Sequence, residues 1–254
     1  MMMELYLSNS WIIGLIVNSI LIIFAFVVPK KLLTINGYLN AWILGVIVWG
    51  TLSWPGYAVV MFYFLVGSGV TKIGMEEKEA AGIAEKRSGM RGPENVWGSA
   101  LIATVCALGT LLVDAPWTQL FLLGYVASFS TKLSDTTASE VGKAYGKRTF
   151  LITTLKPVSP GTEGAISLEG TLAGIVASGV IALVGYLVGL INLMGIVYCI
   201  IAAFIATNLE SLIGATLQEN LEWMTNEIVN IINTLIGAVV AIVLAWLAIN
   251  FMTL

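Results

Sequence analysis

Long apolar runs joined by short polar stretches dominate the chain. Their hydropathy predicts eight membrane-crossing helices, at about 11–28, 38–53, 56–71, 96–112, 117–134, 168–189, 193–214 and 233–252. The runs are apolar on all sides rather than in alternation, which selects a helical bundle over a transmembrane barrel. Only "SWPG" separates the second run from the third, and Pro55 favours a tight turn there. Several runs are shorter than a full crossing, so tilted or half-embedded helices are expected among them. The first run, "WIIGLIVNSILIIFAFVV", has no basic segment before it and no small-residue cleavage site, and reads as a retained span. The expected fold is therefore all-α, a single polytopic membrane domain over residues 1–254.

Composition and charge strengthen this picture. Of 254 residues, 58% are hydrophobic and 11% charged, with a mean hydropathy of +0.93. Placing the N-terminus outside makes the loops near 29–37, 72–95, 135–167 and 215–232 cytoplasmic, and all 12 Lys and Arg then fall on that side. Glu4 and Asp114 are the charged residues left outside. The outer connections are stubs, whereas the loops over 72–95 and 135–167 are long, so function is expected at the cytoplasmic face. Cys106 and Cys199 each sit inside an apolar run and are expected to be free, buried thiols. The chain has no histidine, which excludes Ser/His/Asp and Cys/His catalysis, His-ligated zinc and His-ligated haem. A net charge of -3 gives no basic field for nucleic acid.

The chemistry is left to carboxylates, Lys, Arg and oxygen-bound metal. The first long loop, "TKIGMEEKEAAGIAEKRSGMRGPENV", is helix-compatible from Thr71 to Arg87. Its end sets Lys86, Arg87, Arg91 and Asn95 beside Gly89 and Gly92, a composition that can cradle phosphate because glycine lets backbone N–H groups approach an anion. The same residues also fit a solvated loop that obeys the positive-inside rule. The second loop is more specific. If the fifth helix continues past Ser130, then Ser128, Lys132, Asp135, Ser139, Gly142 and Gly146 share one helical face, with Glu140, Lys143 and Lys147 beside it. Charges at membrane depth are costly and usually serve function, although the glycines could equally serve close helix packing.

Further on, "LKPVSPGTEGAISLEGTLAG" carries Lys156 and Glu169, and "ATNLESLIGATLQEN" carries Glu210 late in the seventh run. Glu169 also suits the first turn of a helix electrostatically. "TNEIVNIIN" sets Asn226, Asn230 and Asn233 along one face, where they could act as helix-to-helix glue. Together Asp135, Glu140, Glu169 and Glu210 supply hard oxygen ligands. Set beside the basic residues, they suit Mg²⁺-assisted chemistry on a phosphorylated or nucleotide substrate. Neither a P-loop nor the protein-kinase glycine loop is present.

The blocks "GIAEKRSGMRGPENV", "SDTTASEVGKAYG", "TTLKPVSPGTEGAISLEGTLAG", "LESLIGATLQ" and "TNEIVNIINTLIGA" resemble, in that order, an integral membrane family that includes the phytyl-phosphate kinases of vitamin E synthesis. More distantly, the acidic helix start, the glycine pair and "SLEGTLAG" are similar to the CTP-dependent phytol and dolichol kinases. The resemblance implies phosphoryl transfer from a nucleoside triphosphate, CTP in the relatives, to an isoprenoid monophosphate such as phytyl phosphate. It also implies an inner, thylakoid or plastid-type membrane. On this reading Asp135, Lys132 and Lys156 are catalytic. Lys86, Arg87, Arg91, Asn95, Ser139, Gly142, Lys143 and Gly146 bind phosphate or nucleotide, and Asp135, Glu140, Glu169 and Glu210 hold Mg²⁺. Glu210 stands where many relatives would carry Asp. The isoprenoid tail is expected between helices, open to lipid. Competing expectations are a transporter or flippase of a phosphorylated lipid or small anion, a prenyl-alcohol kinase, and a cytidylyltransferase. The crowding of polar residues toward one side and the lack of an evident internal repeat favour an enzyme over a transporter.

Overall fold

The computed structural model describes residues 9–27, 31–218 and 221–252, the side chains of Lys86 and of residues 251–252 lying outside the described set. Among these residues the α-helices are α1 (Ser10–Val27), α2 (Ile35–Thr71), α3 (Met75–Ala80), α4 (Pro93–Gly109), α5 (Trp117–Tyr145), α6 (Leu168–Leu187), α7 (Leu193–Ile213) and α8 (Asn226–Met252). A π-helical turn, Gly214–Gln218, extends α7, and a short 3₁₀ turn covers Lys86–Gly89. Five segments are long and apolar enough to cross a membrane: Ser10–Val27, Ile35–Thr71, Leu168–Leu187, Leu193–Gln218 and Asn226–Asn250. The fold is all-α apart from one small ribbon. Cys106 and Cys199 are free and buried, as expected from their apolar surroundings.

The expected hairpin at "SWPG" lies within α2. Drawn straight, its 37 residues would span roughly 55 Å at 1.5 Å per residue. Yet a Cβ on Gly37 would lie 2.6 Å from the Arg91 carbonyl, and one on Gly67 would lie 2.8 Å from the Arg91 guanidinium. Both ends of α2 thus meet one residue, so the element folds back on itself. The reversal is at Ser53, which has φ 54° and ψ -154°. Pro55 follows in the first turn of the returning half, where its missing N–H removes no helical bond. Two side chains fasten the reversal: Tyr57 donates to Asn18 of α1 at 2.9 Å, and Tyr125 of α5 donates to the Gly56 carbonyl at 2.7 Å. Inside an apolar bundle, backbone groups freed by a reversal need such partners.

Three sequence expectations change. The helix expected over Thr71–Arg87 is cut to Met75–Ala80, because Gly74 and Gly82 adopt left-handed φ angles of 58° and 72°. The 135–167 segment is not all loop. α5 continues to Tyr145, and β1 (Thr149–Leu151) then pairs antiparallel with β2 (Ala165–Ser167). α8 starts at Asn226, a polar turn and more ahead of the apolar run expected from residue 233.

α5 is the centre of the molecule, packed against α2, α4, α6, α7 and α8. Residues 123–135 are buried without a break, which is why this helix can carry Ser, Thr, Lys and Asp where its lipid-facing neighbours carry Leu, Ile and Val. The cores of α5 and α6 approach closely because Gly170 and Gly174 oppose it. A Cβ at Gly170 would lie 2.5 Å from the Ala138 carbonyl. α3 is tied to α5 by a buried ion pair, in which Lys78 donates to Glu140 and also to the Thr71 carbonyl at 2.9 Å. Lys78 is 1% and Glu140 2% exposed, so neither charge can fall back on water.

Removing one partner of a dry ion pair strands the other. Glu140→Leu leaves the Lys78 ammonium only the Thr71 carbonyl, whereas Lys78→Met leaves Glu140 the Lys143 ammonium 3.7 Å away. Glu140→Leu should therefore lower unfolding stability by about 3–5 kcal/mol, seen as a depressed melting temperature in detergent. The double variant Lys78→Met/Glu140→Leu should recover most of the loss.

Candidate functional site

The helices alternate in direction, so one end of the bundle collects the end of α2, the start of α4, the second half of α5, the start of α6, the end of α7 and the start of α8. There they enclose a polar cavity of about 710 Å³. Every Lys and Arg whose side chain is described belongs to this end, while Ser53, Asp114 and the 188–192 turn lie at the other.

Lys132 and Asp135 face this cavity one helical turn apart on α5. The Lys132 ammonium donates to the Asp135 carboxylate at 2.5 Å and to the Asn230 side-chain oxygen on α8 at 2.6 Å. The residues are 8% and 5% exposed. A buried pair of this kind is held only when further hydrogen bonds take up its remaining donors, and Asn230 does this for Lys132. Glu210 of α7 lines the same cavity, near enough to feel the charges of Asp135, Lys132 and Glu163. The site is thus carboxylate-rich.

Arg91 and Arg87, in the segment before α4, and Lys143 of α5 add further cations to the cavity lining. Arg91 donates to the Tyr63 hydroxyl at 2.9 Å, and its guanidinium lies 5.2 Å from the centre of the same ring. Gly67, one turn from Tyr63, leaves the space that the guanidinium fills. The backbone of Arg91 pairs with Leu32 and Thr34, so the loop after α1 holds it in place. Arg87 and Ser88 take left-handed φ angles of 55° and 49°, which turn the Arg87 side chain back to Glu94 and Asn95 at the start of α4. Asn95 also accepts from Gly92 N at 2.9 Å and caps that helix. Lys143 lies at the rim, 3.7 Å from Glu140 and 3.9 Å from Glu85.

Lys132, Asp135, Ser139, Glu140, Gly142, Lys143, Arg87, Arg91, Asn95 and Glu210 all line this one cavity. Three expected site residues do not. Gly146 lies past the end of α5 against Ser167, where a Cβ would be 3.1 Å from the Ser167 hydroxyl. Glu169 is one residue out of phase with Gly170 and Thr171, which do face the cavity. Lys156 is exposed in the loop between β1 and β2, its carbonyl accepting from Leu151 N at 3.0 Å. The side chain of Lys86 lies outside the described residues. Tyr63, Glu163 and Lys78 were not singled out in the sequence. Tyr63 is masked by the apolar run "MFYFLVG", and its only signal is its spacing of four from Gly67. Asn230, expected as helix glue, does join α8 to α5, and it does so by accepting from the site lysine, Lys132. Asn233, one turn deeper, is fully buried with no protein partner for either polar atom.

Among the described residues no three acidic or thiol side chains converge as a ready-made metal cluster. Glu140 is committed to Lys78, and Glu169 lies elsewhere. Asp135 and Glu210 remain as adjacent carboxylates, with Asn230 oxygen close by. That donor set fits Mg²⁺, which binds through one or two carboxylates and takes its other ligands from water and substrate oxygen.

Residues 18–238 match the family described as integral membrane protein DUF92. The chain is 64% identical over 236 residues to the uncharacterized membrane protein sll0875 of Synechocystis sp., covering 93% of this chain and 92% of that one. It is 47% identical over 216 residues to Protein VTE6, chloroplastic, of Arabidopsis thaliana, covering 84% of this chain and 65% of the plant protein. It is 34% identical over 230 residues to the uncharacterized membrane protein MJ0933 of Methanocaldococcus jannaschii, covering 89% and 92%. No solved structure matches.

A methyl group at Gly67 would displace only the flexible tip of Arg91. Gly67→Ala should leave the melting temperature nearly unchanged yet weaken binding of inorganic pyrophosphate roughly tenfold, ~1.4 kcal/mol, by titration calorimetry. Equal losses of stability and binding would mean that Gly67 serves the fold alone.

Proposed function

Because the chain belongs to the DUF92 family of integral membrane proteins, we propose that its cavity is the active site of a membrane kinase. The enzyme transfers the terminal phosphoryl group of a nucleoside triphosphate, CTP by the resemblance of its motif blocks, to an isoprenoid monophosphate such as phytyl phosphate. The observation that carries this reading is the Lys132–Asp135 pair, with Glu210 beside it and Arg91 lining the same cavity. Carboxylates able to hold a cation and basic groups able to hold phosphate, lining one cavity, are what two polyanions need in order to approach each other.

In this reading Asp135 and Glu210 hold Mg²⁺ through their oxygens. When bound, the ion neutralises charge on the donor phosphates. Arg91, fixed by Tyr63, and Lys132 bind phosphate oxygens, with Arg87 and Lys143 at the rim. An oxygen of the acceptor phosphate bonds to the terminal phosphorus of the donor as the bond from that phosphorus to the bridging oxygen breaks. The nucleoside diphosphate leaves with the electron pair. The acceptor is a phosphate monoester whose second pKa is about 6, so it arrives as an anion and needs no general base. A site without histidine is adequate for that step, because what it must supply is alignment and charge.

We read the chain as eight spans with the N-terminus outside, counting the two halves of α2, α4 and α5 as crossings. The cavity then opens at the cytoplasmic face, in keeping with the positive-inside rule. Relatives from a cyanobacterium and a chloroplast support an inner or thylakoid-type membrane.

Purified protein in detergent, given phytyl phosphate, Mg²⁺ and CTP, ATP, GTP or UTP in turn, should form phytyl diphosphate with at least one donor. Absence of product with every donor sinks the kinase reading. Asp135→Asn should lower turnover by roughly 10²–10³-fold or more, the scale of removing one electrostatic stabiliser, while the protein still purifies as a folded species.

A further inference from the structure

The cavity is not walled evenly on its membrane side. α6 and α7 run antiparallel and touch at Gly179, where a Cβ would lie 3.4 Å from Ile200. One turn nearer the cavity the gap between them is faced by Ile175 on α6 and Phe204 on α7, both part of the cavity wall. A turn further on it becomes Thr171 and Asn208. The gap is closed on the far side by the turn before β2, where Gly164 packs against the Ser211 carbonyl and Ala215. A window is left between two membrane-crossing helices, about three helical turns high, or ~16 Å. Its floor is apolar and its upper part polar. Phe204 is 45% exposed and lines the cavity, and its helix neighbours Ile201 and Ile205 are exposed apolar residues, so the polar site gives way to apolar surface around this residue.

We propose that this window is a lateral portal through which the hydrocarbon chain of a single-chain lipid phosphate leaves the active site and enters the bilayer. The inference rests on the kinase reading for the headgroup's position. The occupant follows from the gradient. A phosphate held by Arg91 and Lys132 leaves its ester chain to run out where the wall turns from Thr171 and Asn208 to Ile175 and Phe204. An amphiphile entering this way stays in lipid throughout and never exposes its chain to water, which would cost about 0.8 kcal/mol per CH₂.

A second groove, about 400 Å³ and apolar apart from Thr137, lies on the opposite face of α6 against Val66, Val70 and Leu133. It is the obvious competitor for an apolar chain. It is cut off from the cavity, however, because α5 and α6 are in contact between the two. A Cβ on Gly170 would lie 2.5 Å from the Ala138 carbonyl, and one on Gly174 would lie 2.9 Å from the Ser134 hydroxyl. A chain in that groove could not be joined to a phosphate on Lys132.

The test is photolabelling of the full chain in lipid nanodiscs with a phytyl-type phosphate that carries a diazirine in its second isoprene unit. Adducts mapped by mass spectrometry should fall chiefly around Ile175 and Phe204. Excess phytyl phosphate should abolish them, and an equal amount of the phosphate-free hydrocarbon should not. Ile175→Trp, which fills the floor, should strongly reduce labelling while the melting temperature is kept. Adducts at Val66 and Val70, or a spread over all lipid-facing helices that phytyl phosphate does not compete, would overturn the portal. Turnover measured in parallel separates the two claims. Portal labelling without diphosphate formation from any donor refutes the kinase and keeps the portal, whereas activity with labelling elsewhere refutes the portal alone.

Discussion

The Lys132–Asp135 pair on a fully enclosed helix is the constraint on which the rest of the structure depends. Taking two charges out of water costs several kcal/mol per ion, and their attraction offsets this only when geometry and additional hydrogen bonds are good. The i,i+3 spacing on α5 supplies the geometry, and Asn230 of α8 supplies the added bond. For both to hold, α5 must be surrounded and α8 must come within hydrogen-bond distance. α8 does so because Gly237 has no side chain: a Cβ there would overlap the Thr131 hydroxyl at 2.0 Å. Gly170 and Gly174 allow the same close approach on the α6 side. The glycines near α5 thus fix the depth at which a charged floor can be kept.

The opposite end of the bundle is built on a different principle. Below the floor, Tyr63, Phe129 and Tyr125 form a continuous aromatic stack, with ring centres 5.1 Å and 5.3 Å apart. Tyr125 then bonds the reversal of α2. An aromatic stack is rigid and apolar, yet Tyr63 and Tyr125 each end in a hydroxyl that finds a partner. Tyr63 belongs to both halves of the molecule: its ring is part of the stack and its hydroxyl orients Arg91. The closed end and the Arg91 cation are therefore set by one side chain.

Much of this was legible in the sequence. The runs of Leu, Ile and Val located the helices, and "SWPG" located the reversal. The phase of Lys132, Asp135, Ser139 and Gly142 alone puts them on one face of α5, the face that lines the cavity. Local signals failed where tertiary contacts decide. "MEEKEAAGIAEKR" has good helix formers, but left-handed Gly74 and Gly82 end the helix so that Lys78 can reach Glu140. Nothing near Lys78 in the chain marks it as buried, because its partner is 62 residues away. Lys156 and Glu169 looked suitable by type, yet residue type does not reveal on which side of a β ribbon or a helix turn a residue will lie. Tyr63 was hidden among apolar neighbours for the same reason: its role comes from Arg91, brought alongside by the pairing of two loops.

The carboxylates show how burial assigns roles that composition leaves open. Asp135, Glu140, Glu169 and Glu210 look equivalent as oxygen donors in the sequence. Glu140 is drawn into an ion pair with Lys78, so holding a metal there would strand a buried ammonium, a penalty of the same order as breaking the pair. Glu169 is at a helix start, where the N-terminal end of the dipole already favours its charge. Asp135 shares its one lysine with Asn230, and no described Lys or Arg salt-bridges Glu210. Two neighbouring carboxylates with a single cation between them carry surplus negative charge in a poorly solvated place. A divalent ion would balance that surplus and bring with it the coordination sites that substrate phosphates require.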